Sequence, residues 1–217
     1  MDFSVVTSHA DLLWFGILIT LYYTAVTIAG GMLLGLIVGL IQFAPFRPLV
    51  WLGWLFVEFF RNIPLLVILL WTYYALPIFL NIEISKGWAG FLALTCYSAA
   101  FYAEIFRAGV QSIDPGQTDA ATALGMSYGQ KMRRIILPQA FRRMIPPLVS
   151  QSIMQMKNTS LLSTITVPDL LYQAGYISSQ TFKPMEVYTA VGIIFLMFLI
   201  PLTTLSRMVE RRQASHR

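Results

Sequence analysis

From Leu13 to Ile41 the chain carries no charged residue, and that one run decides which folds are open to it. In lipid, backbone N–H and C=O groups must bond within a helix or around a closed barrel. A barrel is written as segments of about ten residues with alternating polarity, whereas this run is continuously apolar and specifies a helix. It exceeds the roughly 20 residues that a straight span needs, so it should tilt or protrude. Four further spans are expected at about 64–80, 88–106, 141–166 and 187–205. Residues 1–217 then form a single all-α integral membrane domain of five transmembrane helices. The composition agrees, with 57% apolar and 12% charged residues and a mean hydropathy of +0.67.

Several features qualify these spans. Gly31, Gly35 and Gly39 fall four apart, a small-residue surface that lets another helix backbone come close. Residues 49–60 hold Trp51, Trp54 and Glu58, and tryptophan prefers the headgroup layer, so this stretch should lie in the interface and turn into the second span near Pro64. Glu58 and Arg61 stand at i, i+3, the spacing of a local ion pair, with a gating or interface role as the alternative. Glu104 and Arg107 repeat that spacing. The fourth span is the least apolar, and Lys157-Asn158-Thr159-Ser160 is its most polar part. Counted from Met144 at 1.5 Å per residue, Lys157 lies roughly 20 Å along the helix. An ionisable group at that depth marks a functional site, here a substrate pathway; snorkelling to the headgroups is the plain alternative. Residues 167–186 read as an outer loop with a short helix near 168–176.

Five spans put the termini on opposite sides. With the amino terminus outside, twelve of the fifteen Lys and Arg residues, Arg217 included, fall on the inner side. Lys86 and Lys183 lie outside and Lys157 lies within a span. That bias orients the chain and accounts for the net charge of +5 without nucleic acid. The first dozen residues lack Lys and Arg, so no cleavable signal's basic region is expected. No catalytic, cofactor or metal residues are expected either. Each of the four lysines follows Ser85, Gln130, Met156 or Phe182, never glycine, so there is no Gly-Lys-Ser/Thr phosphate loop. His9 and His216 stand at opposite ends, and Cys96 is the only cysteine.

One polar segment remains, residues 114–138, DPGQTDAATALGMSYGQKMRRIILP. Asp114 can cap a helix that Pro115 opens, with Gln117 three residues on. Ala120, Ala121 and Ala123 favour helix, and Gly125 supplies a stop. Ser127 and Gln130 are spaced as a capping box for a second helix, which Pro138 closes. Tyr128, Met132 and Ile135 should share one side, opposite Lys131, Arg133 and Arg134. The product is a helix–glycine–helix elbow.

The elbow resembles the EAA loop of ABC-transporter permeases: EAA, three residues, Gly, nine residues, Ile, one residue, Leu-Pro. Here the positions are Asp119, Ala120, Ala121, Gly125, Ile135, Leu137 and Pro138, with Asp119 in place of glutamate. The stretches EFFRNIPLL, AEIFRAGVQSI, ALGMS, ILPQAFR and KNTS extend the resemblance over residues 14–212, to the polar amino-acid permeases and most nearly those for glutamate and aspartate. That resemblance implies a type I importer permease whose elbow docks on an ATP-hydrolysing subunit. It implies as partners a paralogous or identical permease, two ATP-binding subunits that hold ATP and magnesium, and an extracytoplasmic solute-binding protein, in a bacterial cytoplasmic membrane. Permeases for other polar or cationic amino acids share most of these strings. An ion-coupled secondary carrier is the rival from another class; no inverted repeat or mid-membrane carboxylate pair speaks for it.

Overall fold

The computed structural model describes residues 2–214. Met1 and residues 215–217 lie outside it, and with them His216 and Arg217 of the sequence reading. A short α1 (Ser4–Ser8) leads into α2 (Ala10–Ile41), followed by α3 (Arg47–Asn62). Next come α4 (Leu65–Leu70), a π turn (Trp71–Ala75) and α5 (Leu76–Leu80), which form one rod, and then α6 (Lys86–Gln111). The elbow comprises α7 (Pro115–Ala123) and α8 (Tyr128–Lys131). A second π turn (Met132–Ile136) joins α8 without a break to α9 (Leu137–Asn158), and a 3-10 turn (Thr159–Ile165) follows. The last elements are α10 (Leu170–Thr181) and α11 (Pro184–Ala214).

Among the described residues, three helices are long and apolar enough to cross a membrane: Ala10–Ile41, Lys86–Gln111 and Pro184–Thr204. Helix α3 meets the Leu65–Leu80 rod at 105°, a pair that makes a fourth crossing if counted as one broken span. The bend falls at Ile63 and Pro64, both with extended ψ, where the proline ring disfavours helical conformation in the residue before it. Trp51 and Trp54 are exposed on α3, where a headgroup layer would meet them. The polar α9 is outside the apolar set.

The glycines of α2 do what their spacing predicts. A Cβ on Gly31 would stand 2.1 Å from Ser98 Oγ, and one on Gly35 would stand 2.7 Å from the Ala99 carbonyl oxygen, so α2 and α6 meet backbone to backbone. At Gly35 the obstacle is main chain and cannot rotate away. Gly35→Ala is expected to cost about 1–3 kcal/mol of stability, read as a lower Tm in detergent.

Two prolines are handled in a way the sequence reading missed. A proline inside a helix lacks an N–H and its ring strikes the carbonyl four residues back. Pro77 and Pro138 each sit just beyond a π turn, where Leu76 N–H reaches Trp71 O and Leu137 N–H reaches Met132 O, five residues back. The wider turn re-spaces the carbonyls and the helix goes on. Pro138 therefore does not close the elbow; the helix continues through Pro146 and Pro147 to Asn158. The expected fourth span, 141–166, is in fact the end of a longer rod followed by a 3-10 turn. Thr166 ends that turn in left-handed conformation, φ 60°.

Asp169 caps α10 from the interior. Its Oδ1 accepts from Tyr172 N–H at 2.9 Å, while Oδ2 is buried without a hydrogen-bond partner. Burial pushes this carboxyl up to about 7, against backbone hydrogen bonds that pull it down. The folded state therefore holds the proton more tightly than the unfolded chain, whose carboxyl titrates at about 3.9. Stability is full below that value and is lost as pH rises toward 7. Tm is expected to fall between pH 5 and pH 8, and Asp169→Asn, which keeps the capping oxygen, should flatten that slope.

Candidate functional site

The elbow is built from local bonds. Asp114 Oδ1 accepts from Gly116 N–H at 2.7 Å and Pro115 opens α7. Gln117 does not complete a capping box; its Oε1 accepts from Gln139 Nε2 at 3.4 Å. At the far end Gly125 takes φ +73°. Gly125 N–H donates to Thr122 O at 2.9 Å and Met126 N–H to Ala121 O at 3.1 Å, the two bonds of a Schellman stop. The second start is reciprocal: Ser127 N–H donates to Gln130 Oε1 at 2.9 Å and Gln130 N–H to Ser127 Oγ at 3.4 Å. Lys131 Nζ donates to Thr122 Oγ1 at 3.0 Å and ties the two arms.

This fixed scaffold presents an apolar knob. Ala121 is the only buried residue of α7. Asp119, Ala120 and Gly125 are exposed, Leu124 is 80% exposed and Tyr128 71%. Tyr128 thus points outward, whereas Met132 and Ile135, expected on the same side, are half-buried. Ile136 is buried instead, packed with Ile113, Ala140 and Met144, because the π turn shifts the helical phase by a residue. Ile135 is half-buried, and Leu137 and Pro138 are exposed. Arg143 Nη1 donates to Ser112 O, the cap residue of α6, and so closes the elbow's base.

The expected Glu58–Arg61 pair does not form. Glu58 Oε2 accepts from Asn62 Nδ2 at 2.8 Å, whereas Arg61 reaches Glu104 on α6 at 3.8 Å and lies 5.7 Å above the Phe101 ring. Glu104 also accepts from Arg107 through two nitrogens, as the i, i+3 spacing predicts. One carboxylate thus serves two arginines and fastens the end of α3, beside the Pro64 bend, to the end of α6.

The four pathway candidates do not converge. Lys157 is exposed and makes no ion pair or side-chain hydrogen bond among the described residues. Asn158 is half-buried, with Nδ2 enclosed and unpartnered. Thr159 is wholly buried and donates to Met156 O at 2.7 Å. Ser160 donates to Lys157 O at 2.8 Å. The helix ends between Asn158 and Thr159, which sends neighbouring side chains to different sides. Of the four, Lys157 alone is exposed.

A family profile described as "Binding-protein-dependent transport system inner membrane component" matches residues 31–215. The chain belongs to that family. It is similar to "Probable glutamine ABC transporter permease protein GlnM" of Bacillus subtilis (strain 168), 40% identical over 98% of each chain. It is also similar to "Glutamate/aspartate import permease protein GltK" of Escherichia coli O157:H7, 34% identical over 98% of each. Among solved structures, "Crystal structure of an amino acid ABC transporter with histidines" matches with a TM-score of 0.92 at 33% identity, over 98% of this chain and 99% of the other.

The protein is therefore a permease subunit of an amino-acid ABC importer, an all-α inner-membrane component and not an enzyme. Permeases of this family work with ATPase and substrate-binding partners. Three residues of this permease escaped the sequence reading: Ile136, Glu104 as the partner of Arg61, and Gln155. A phase shift hid the first and a tertiary contact the second. Gln155 is fully buried, and nothing in the sequence singles it out among the ten polar residues of 150–164.

Proposed function

We propose that this permease lines one half of the pathway of an ATP-driven importer for polar amino acids, glutamate and aspartate foremost, and that its elbow receives the motion of an ATPase. The observation that carries this is continuity. A rod running over residues 128–158 has the exposed knob at one end and the exposed Lys157 at the other. A push on Ala120, Leu124 and Tyr128 moves the whole rod, and with it the face that carries Lys157. The permease is then a two-state element whose equilibrium the nucleotide cycle biases. Its amino terminus lies outside and its carboxyl terminus in the cytoplasm, by the distribution of Lys and Arg. Five crossings, the fourth made by the rod that ends at Asn158, bring the elbow to the cytoplasmic side. A second permease, paralogous or identical, completes the pathway. Two ATPase subunits hold ATP and magnesium, and a solute-binding protein delivers cargo from outside. Lys157 supports an acidic cargo through attraction to carboxylate; the similarity to a glutamine permease supports glutamine as the second reading. The test is uptake of labelled glutamate, aspartate and glutamine into proteoliposomes carrying the assembled importer and its binding protein. Uptake that needs internal ATP and prefers glutamate upholds the proposal. Uptake driven by an ion gradient without nucleotide overturns it, and a preference for glutamine overturns the acidic assignment.

A further inference from the structure

We propose that Gln155 is a positioning residue: it fixes the rotation of α9 about its own axis and thereby turns Lys157 away from the bundle, toward a wet face. The α2–α6 pair, joined through Gly31 and Gly35, is a rigid wall. Gln155, 0% exposed, is bolted to both sides of it. Its Nε2 donates to Thr27 Oγ1 on α2 at 3.0 Å and to Leu94 O on α6 at 3.2 Å. The acceptor is itself directed, because Thr27 commits its hydroxyl proton to Tyr23 O at 2.7 Å and so offers Gln155 a lone pair. Ser98 Oγ, reaching Thr27 O at 3.4 Å, holds the same stretch of α2 from the other side.

The bolt matters because α9 offers competitors. Gln151 and Asn158 stand one turn before and one turn after Gln155, at i−4 and i+3, on the same side of the helix. Each has an amide nitrogen enclosed without a partner. A turn of about 60° with a slide of about 4.5 Å would carry the Asn158 amide to Thr27 and Leu94 O, and about 40° with about 6 Å would carry that of Gln151. Lys157 is two residues beyond Gln155, about 200° round the helix at 100° per residue. With Gln155 turned inward, Lys157 must face out, and Met154 shares its exposure. If Asn158 took the bolt's place instead, Lys157 would rotate toward the bundle wall.

Interhelical hydrogen bonds in membranes are individually weak, so loss of the bolt should redistribute settings rather than unfold the chain. In an assembled importer in nanodiscs with Cys96→Ala, single cysteines at 154, 156 and 157 are labelled with a small charged methanethiosulfonate. In the parent, labelling at 157 is expected to be fast and at the buried 156 slow. Gln155→Leu is expected to slow labelling at 157 and speed it at 156, each by roughly fivefold, the redistribution that two such bonds support. Thr27→Ala removes one acceptor by deleting a hydroxyl and a methyl and should give the same reversal at smaller amplitude; it carries the test if Gln155→Leu does not assemble. An unchanged pattern, a uniform rise at all three positions, or an unreactive 157 in the parent overturns the proposal. The labelling does not depend on what is transported. A parallel uptake measurement does rest on Lys157 lining the pathway. There both variants should raise KM more than they lower kcat. Reversed labelling with unchanged KM would leave Gln155 as the positioning residue and refute the pathway reading alone.

Discussion

Gly125→Pro is expected to abolish ATP-driven uptake while the permease still inserts and assembles. Gly125 sits at φ +73° and its N–H is bonded to Thr122 O. Proline holds φ near −65° and has no N–H, so the substitution breaks both conditions at once. The local cost is about 3 kcal/mol or more, on the order of a hundredfold in the fraction of correctly bent elbows. Nothing lies within 4 Å of a Cβ at this position, so the effect is conformational and not a clash. A graded series follows. Gly125→Asn, whose side chain tolerates the left-handed region, should retain most uptake; Gly125→Ala, strained by about 1–2 kcal/mol, should fall between. Asp119→Arg tests the surface instead of the bend. Asp119 is exposed and forms no hydrogen bond or ion pair within the described residues, so reversing its charge should spare the fold and impair only docking. The measurement is the ratio of amino acid taken up to ATP hydrolysed. Normal ratios in both Gly125→Pro and Asp119→Arg would remove the elbow from the coupling step.

Lys157→Asp is the second large effect. If Lys157 lines the proposed pathway, a cargo carboxylate 4 Å away is worth about 4 kcal/mol at an effective dielectric of 20. Replacing attraction with repulsion should lower glutamate uptake by roughly a hundredfold, whereas Lys157→Met, which removes attraction alone, should lower it by roughly tenfold. Lys157→Arg keeps the charge and should keep most of the transport. Uptake of glutamine, with no side-chain charge, should suffer less than that of glutamate in each variant. Equal losses for both cargoes would assign Lys157 to the shared α-carboxylate, and unchanged kinetics would take it out of the pathway.

What could be read in the sequence was what the chain settles locally. Asp114, Pro115, Gly125 and the Ser127–Gln130 pair act within four residues of themselves, and each end of the elbow is made as their spacing predicts. The glycine face of α2 was legible for the same reason, since helical period alone lines up Gly31, Gly35 and Gly39. Arg61 was not legible. Its sequence neighbour Glu58 stood at the right spacing, yet a carboxylate 43 positions away, on α6, took the contact. Gln155 was hidden differently. A helix carrying polar residues on several sides has no clear period, so only the packed structure reveals which amide turns inward. Pro138 misled because a proline after a capped helix ordinarily marks an end, and a π turn has no sequence signature to set against that rule.

That π turn has a mechanical meaning. It holds one surplus residue in the rod that runs from the exposed knob to Lys157, and one residue is about 100° of azimuth. The two working ends of the rod are therefore aimed independently, as a keyed coupling sets the angle between a motor and its shaft. Evolution can turn one end without rebuilding the other by gaining or losing that residue.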